Sequence, residues 1–132
     1  LRPCTGGCGK RLPATDFHKN AARPDGLNHS CRKCWAVYQR ERVLLRKFGI
    51  SAATFDRMLK DQDGGCKICG DTIGLVRLGK RLRLAVDHCH HTGAVRGLLC
   101  SKCNFGIGLF KDDPALLRRA AEYLNQEPTQ EA

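Results

Sequence analysis

Eight of the nine cysteines in this 132-residue chain fall into four close pairs: Cys4/Cys8, Cys31/Cys34, Cys66/Cys69 and Cys100/Cys103. Gaps of two or three residues hold two thiolates on one turn of chain. Such spacing suits tetrahedral zinc better than a disulfide framework. The chain is long enough for one or two small domains around one modest core. Metal staples are therefore expected to supply much of what fixes the fold. No apolar signal-peptide core opens the sequence, and no apolar run is long enough to cross a membrane, so a cytoplasmic protein is expected.

The pairs divide into two modules. Cys4-x3-Cys8 followed by Cys31-x2-Cys34 fits one four-thiolate structural site, with Gly6, Gly7 and Gly9 letting the backbone turn tightly. Between these pairs Pro13, Pro24-Asp25-Gly26 and Asn28 mark turns, and Phe17 and Leu27 are the apolar plugs. With four cysteines present, His18 and His29 are read as surface residues. Cys66, Cys69, Cys100 and Cys103 form the second closed site. Cys89, the odd one out, is expected to be a small packing residue.

Charge is uneven. The chain carries 23 Lys+Arg against 13 Asp+Glu, a formal charge of +10, and residues 1–60 hold 13 basic and 4 acidic side chains. That imbalance favours a polyanion, most simply nucleic acid. From Cys34 to Phe48 the sequence has neither Pro nor Gly and reads as a helix stopped by Gly49. Arg40, Arg42, Arg46 and Lys47 lie on it, with Arg32 and Lys33 just before, and these are the expected DNA-backbone contacts. Trp35 and Tyr38 are read as packing residues.

Ser51 is expected to cap a second short helix that buries Phe55, Met58 and Leu59. Leu82, Leu84 and Val86 alternate with Arg83 and Ala85, as in a half-buried strand. Thr92-Gly93 is a turn and Val95–Leu99 a returning strand, after which Ser101 caps a helix running through Asn104. Asp112-Asp113-Pro114 starts a last helix. Its Leu116, Leu117, Ala120, Ala121 and Leu124 are expected to dock on the core, leaving a polar tail over 126–132.

Four-thiolate zinc has no open position and holds shape only. Asp87 and Asn104 offer oxygens instead, which suit a hard cation such as magnesium. A shared cation requires the end of the first strand and the start of the helix to face each other, and the cysteine pairs pin both segments.

Taken together, Cys66-x-x-Cys69, Asp87-His88-Cys89-His90-x-Thr92-Gly93, Val95-Arg96-Gly97-Leu98-Leu99-Cys100 and Cys103-Asn104 resemble the HNH (ββα-metal) nucleases, and in particular the recombination endonuclease VII family of phages. The resemblance covers roughly residues 43 to 124, and Phe48-Gly49-Ile50 and Gly64-Gly65-Cys66-Lys67-Ile68-Cys69-Gly70 belong to it as well. It implies a small zinc-stapled α+β protein. A ββα-metal core over 50–125 would be preceded by a Cys4 zinc module over 1–34 and a basic connecting helix over 35–49. It also implies a phosphodiester hydrolase acting on DNA, in the host cytoplasm if phage-encoded.

Residue by residue, the resemblance makes Asp87 and Asn104 ligands of one catalytic divalent cation, Mg2+ or Mn2+, beside two structural zinc ions. His88 looks like the general base, and His90 like the histidine that steadies charge at the scissile phosphate. Arg96 is a candidate phosphate contact. The family's branched-DNA resolvases work as dimers with a helical segment beyond the nuclease core. This sequence stops soon after the helix at Asp113–Leu124, so nicking or cutting of duplex DNA is the expectation. A Holliday junction resolvase is one alternative, and a zinc-dependent binding module without catalysis is the other. The oligomeric state stays open between monomer and homodimer.

Overall fold

The computed structural model describes residues 1–72, 76–77, 80–81 and 84–128, and the chain forms two compact units that meet in sequence between Phe55 and Asp56. The first unit is built from two short antiparallel ribbons. Strand β1 (Arg2–Pro3) pairs with β2 (Arg11–Leu12), and β3 (Phe17–Lys19) pairs with β4 (Leu27–Cys31). The loop between β1 and β2 is closed by the Cys4 N–H donating to the Lys10 carbonyl at 2.8 Å, and tied to β4 by the Thr5 N–H on the His29 carbonyl at 3.1 Å. Cys4, Phe17 and Cys31 are its buried cluster, with Leu12, Leu27 and Cys34 packed against them. Half of that small core is cysteine, so a metal held by these sulfurs would add to what the few apolar side chains supply.

Helix α1 runs over Arg32–Phe48 and ends at Gly49, whose φ of 67° is the left-handed stop anticipated from the sequence. Leu44 is its buried residue, whereas Val37 and Leu45 are exposed. Tyr38, expected to pack, is half exposed: its ring lies 5.6 Å from that of Trp35 and carries the Arg42 guanidinium. Helix α2 (Ala52–Asp61) is capped as expected, the Ser51 hydroxyl accepting from the Thr54 N–H at 3.0 Å, and it buries Phe55.

In the second unit the end of α2 leads through Gly64 and Gly65 into the Cys66–Cys69 knuckle. Strands β5 (Val76–Arg77) and β6 (Lys80–Arg81) form a small ribbon. The central hairpin pairs β7 (Ala85–His88) with β8 (Val95–Leu99) in the register Ala85↔Leu99, Val86↔Leu98, Asp87↔Gly97, with a shift before His88↔Val95. The strand anticipated from Leu82 begins at Ala85; Leu82 and Arg83 lie outside the described residues.

Helix α3 (Ser101–Leu109) packs on both strands of the hairpin. Its cap is Cys100 rather than Ser101. Cys100 keeps an extended backbone, and its Sγ accepts from the Cys103 N–H, so the residue that ends β8 also starts the helix. Helix α4 (Pro114–Leu124) starts at Asp113, whose Oδ1 accepts from the Ala115 and Leu116 N–H groups. The docking expected along its length is partial. Leu116, Leu117 and Ala120 in the first two turns are half-buried, while Ala121 is exposed and Leu124 is 79% exposed.

Leu98 is fully buried, and Cys66, Leu99 and Cys100 form the core of this unit with Leu84, Cys103 and Ile107 around them. Gln62 holds the knuckle to the hairpin. Its amide donates to the carbonyls of Gly65 (2.8 Å) and Leu98 (2.9 Å), and its Oε1 accepts from the Leu98 N–H at 3.0 Å. Gly65 must be small, because a Cβ there would meet the Gly70 carbonyl oxygen at 2.6 Å. Among the described residues no helix is long and apolar enough to cross a membrane.

Candidate metal centre and active site

The four sulfurs of Cys4, Cys8, Cys31 and Cys34 lie within 4.8 Å of one another, as do those of Cys66, Cys69, Cys100 and Cys103. Both groupings match the pairing expected from spacing. In the first, the Cys4 sulfur accepts from the backbone N–H groups of Cys31 (3.2 Å) and Gly6 (3.4 Å), and the Cys31 N–H is foremost in drawing the Cys4 thiol down to about 6. Cys34 is pushed up to about 12, first by sharing a proton with Cys8 and then by burial.

The second cluster repeats this division. Burial acts to raise Cys66, yet the N–H groups of Cys69, Cys100 and Ile68 outweigh it and bring the thiol to about 6. Burial, followed by the neighbouring thiols, takes Cys103 up to about 12. In each site backbone N–H groups are already aimed at a buried sulfur, Cys4 in the first and Cys66 in the second. Four clustered sulfurs backed by such donors suit zinc. Cys89 stands apart. It shapes the turn after β7, its N–H donating to the Ala94 carbonyl at 2.8 Å, and the Thr92 hydroxyl leads in lowering its thiol to about 7.

The oxygen donors lie elsewhere in this unit, in an open cleft of about 600 Å³. Alternation along β7 turns Ala85 and Asp87 to this cleft, and α3 presents Ser101, Asn104, Phe105 and Gly108 from one face. His90, Leu109 and Asp112 complete the lining. Asp87 and Asn104 do therefore line the same cleft, as a shared cation requires. His88 follows the register shift, and its ring centroid lies 5.2 Å from that of His90, tilted by 44°. Bulges of this kind re-aim side chains beside active sites.

Asp87 is almost fully buried, and both its oxygens are engaged by Arg96: Nε to Oδ2 at 2.7 Å and Nη2 to Oδ1 at 2.9 Å. Arg96 Nη2 also lies 3.5 Å from Asp112 Oδ2, and His90 Nδ1 lies 3.9 Å from that same oxygen. The hydrogen bond to Asp87 is foremost in holding the Arg96 guanidinium above its ordinary range. Arg96, expected to meet phosphate, thus has a carboxylate partner within the protein. Asp87 and Asn104 are oxygen donors of the kind that suits a divalent cation of the magnesium type, with Arg96 as the resident countercharge.

Of the basic residues assigned to DNA, Arg32 donates to the Thr15 carbonyl (3.2 Å) and meets His18 Nδ1 (3.1 Å), and Arg40 lies over the Phe55 ring. Lys33, Arg42, Arg46 and Lys47 are exposed on α1. Sequence reasoning missed Asp112 and Gln62. A signal for the first existed: Asp113 alone suffices to cap α4, which leaves the adjacent Asp112 spare.

A β-hairpin followed by a packed helix, with Asp87 on the strand and Asn104 on the helix lining one cleft, is the ββα-metal arrangement. The family model of recombination endonuclease VII matches residues 39–126. The "Gene 59 protein" of Mycobacterium phage D29 is 42% identical over 129 residues, covering 96% of this chain and 75% of that protein. The "Gene 59 protein" of Mycobacterium phage L5 is 33% identical over 129 residues, with 96% and 76% covered. The crystal structure of the ββα-Me type II restriction endonuclease Hpy99I aligns at 27% identity and a TM-score of 0.38, over 89% of this chain and 61% of that one. The chain belongs to the recombination endonuclease VII family, which places it among the nucleases.

Proposed function

We propose that this protein is a divalent-metal-dependent DNA endonuclease that nicks or cuts duplex DNA. The observation that carries the reading is the shared cleft: Asp87 from β7 and Asn104 from α3 line it together, with His90 at its wall and His88 beside His90. Asp87 and Asn104 would hold one Mg2+ or Mn2+. A cation held there supplies charge neutralisation at the scissile phosphate and the leaving 3′-oxygen.

The remaining work falls to the chain's own side chains. His88 takes the proton from the attacking water, a task suited to neutral imidazole near pH 7. The water oxygen bonds to phosphorus as the bond to the 3′-oxygen breaks, leaving a 5′-phosphate and a 3′-oxygen that takes its proton from solvent. His90, at the cleft wall, steadies the charge on the phosphate. Both cysteine clusters, as structural zinc sites, keep the hairpin, α3 and the N-terminal module in shape. The exposed Lys33, Arg42, Arg46 and Lys47 would meet the DNA backbone, which gives affinity without sequence information.

One observation favours a second reading, a zinc-dependent DNA-binding module without catalysis: Arg96 already neutralises Asp87. Zinc-loaded protein incubated with supercoiled plasmid, with and without Mg2+ or Mn2+, separates the two. Metal-requiring conversion to nicked or linear plasmid is the expected result. Binding that shifts the plasmid, with no cutting under any divalent ion, would leave the second reading in its place.

A further inference from the structure

We propose that Asp112 is a positioning residue that receives the Arg96 guanidinium when Asp87 takes a divalent cation. The inference rests on the metal site proposed above. Arg96 occupies both oxygens of Asp87, so a cation bound there meets a resident positive charge on the same carboxylate. Two cations on one nearly buried carboxylate repel each other, and burial weakens the screening that would relieve them. Drawing Arg96 off relieves that repulsion, and the guanidinium then needs another acceptor.

Asp112 is the acceptor already in reach. Its Oδ2 stands 3.5 Å from Arg96 Nη2, the atom that donates to Asp87 Oδ1 at 2.9 Å. Asp112 lines the cleft that holds Asp87 and Asn104, and it also lines an adjoining cavity of about 320 Å³ together with Arg96, His90 and Lys111. The guanidinium thus has both a second carboxylate and room beside it.

The backbone that presents Asp112 is unusual. Lys111 and Asp112 adopt consecutive left-handed conformations, with φ of 56° and 55°. The turn is held there by the Lys111 N–H on the Gly108 carbonyl (2.9 Å) and the Asp112 N–H on the Ile107 carbonyl (3.0 Å). These two bonds are the Schellman cap that ends α3, so the turn that stops this helix is also what sets Asp112 beside Arg96.

The test is a cycle of variants read by Mn2+ binding, with free Mn2+ counted by electron paramagnetic resonance on full-length, zinc-loaded protein. Asp87→Asn should abolish the site. Arg96→Gln, which removes the competing charge, should tighten Mn2+ binding. Asp112→Asn should weaken it about tenfold while Arg96 is present, and leave it within about twofold in the Arg96→Gln background. Asn tolerates a left-handed backbone, so the fold at residue 112 should survive the exchange.

Equal weakening in both backgrounds would make Asp112 a direct ligand and overturn the proposal, as would no effect in either. If wild-type protein binds no Mn2+, or Asp87→Asn binds as well as wild type, the proposed metal site itself fails. Crystals of wild-type protein grown with Mn2+ give an answer independent of any variant. Arg96 is expected within hydrogen-bond distance of Asp112, and Arg96 still forked on Asp87 beside a bound ion would refute the transfer.

Discussion

Arg96 and Asp87 sit across the β7–β8 hairpin from one another, joined by two hydrogen bonds of 2.7 and 2.9 Å. The Asp87 side chain is nearly buried, whereas the Arg96 side chain keeps more than a third of its surface in water. Asp87 is therefore the partner that suffers if the pair is broken.

Arg96→Met should lower the stability of the metal-free cleft by about 1–3 kcal/mol. A fully buried pair broken on one side costs roughly 3–5, and the exposure of Arg96 discounts that figure. Urea denaturation of zinc-loaded protein measures the loss. An unchanged midpoint would mean that water already solvates Asp87.

Zinc content should be two ions per chain by elemental analysis, falling to one in Cys100→Ser. That residue closes the second cluster and also caps α3 through its sulfur, so circular dichroism should show helix lost along with the metal. Chelation of wild-type protein should unfold the N-terminal ribbons too, since Cys4 and Cys31 are two of the three residues of the buried apolar cluster there. Retention of both zinc ions in the variant would contradict the cluster.

Gln62→Leu removes three hydrogen bonds that tie the Cys66 knuckle to β8. At roughly 0.5–1.5 kcal/mol each, the loss should be about 2–4 kcal/mol. Hydrogen exchange at Leu98 should speed up in the variant, and unchanged protection there would count against the clamp.

Asp25 gives the first unit an acid-sensitive contact. The Leu27 N–H leads in holding its carboxyl below the ordinary 3.8, burial opposes this, and Arg2 adds to the lowering. A carboxyl depressed in the folded state contributes stability that is complete above 3.8 and is lost as pH falls through the lower folded value. Wild-type protein should accordingly be more stable than Asp25→Asn at pH 7, with the gap closing below pH 4. Melts of both proteins across that range decide the matter, and a constant gap would contradict it.

The parts of the molecule written as local rules were legible from sequence. The cysteine gaps determine which sulfurs can share a metal, and Gly49, Ser51 and Asp113 punctuate the helices where turn chemistry says they should. What escaped depends on contacts between residues distant in sequence. Gln62 reaches Leu98, and Arg96 finds Asp87, only once the hairpin has formed. Asp112 was hidden in a helix-start motif that needs one acidic residue and contains two. The exposure of Leu124 is likewise a matter of tertiary packing, which periodicity alone does not report.

The most direct test of the account is the single-turnover rate of plasmid cleavage by His88→Ala in saturating Mg2+, set beside wild type, with DNA affinity measured in parallel. Loss of a general base should slow cleavage by about 10²–10⁴-fold. DNA affinity and zinc content should stay at the wild-type level, because His88 belongs to neither the basic helix nor the sulfur clusters. Cleavage at the wild-type rate would contradict the account and take the chemistry out of this cleft.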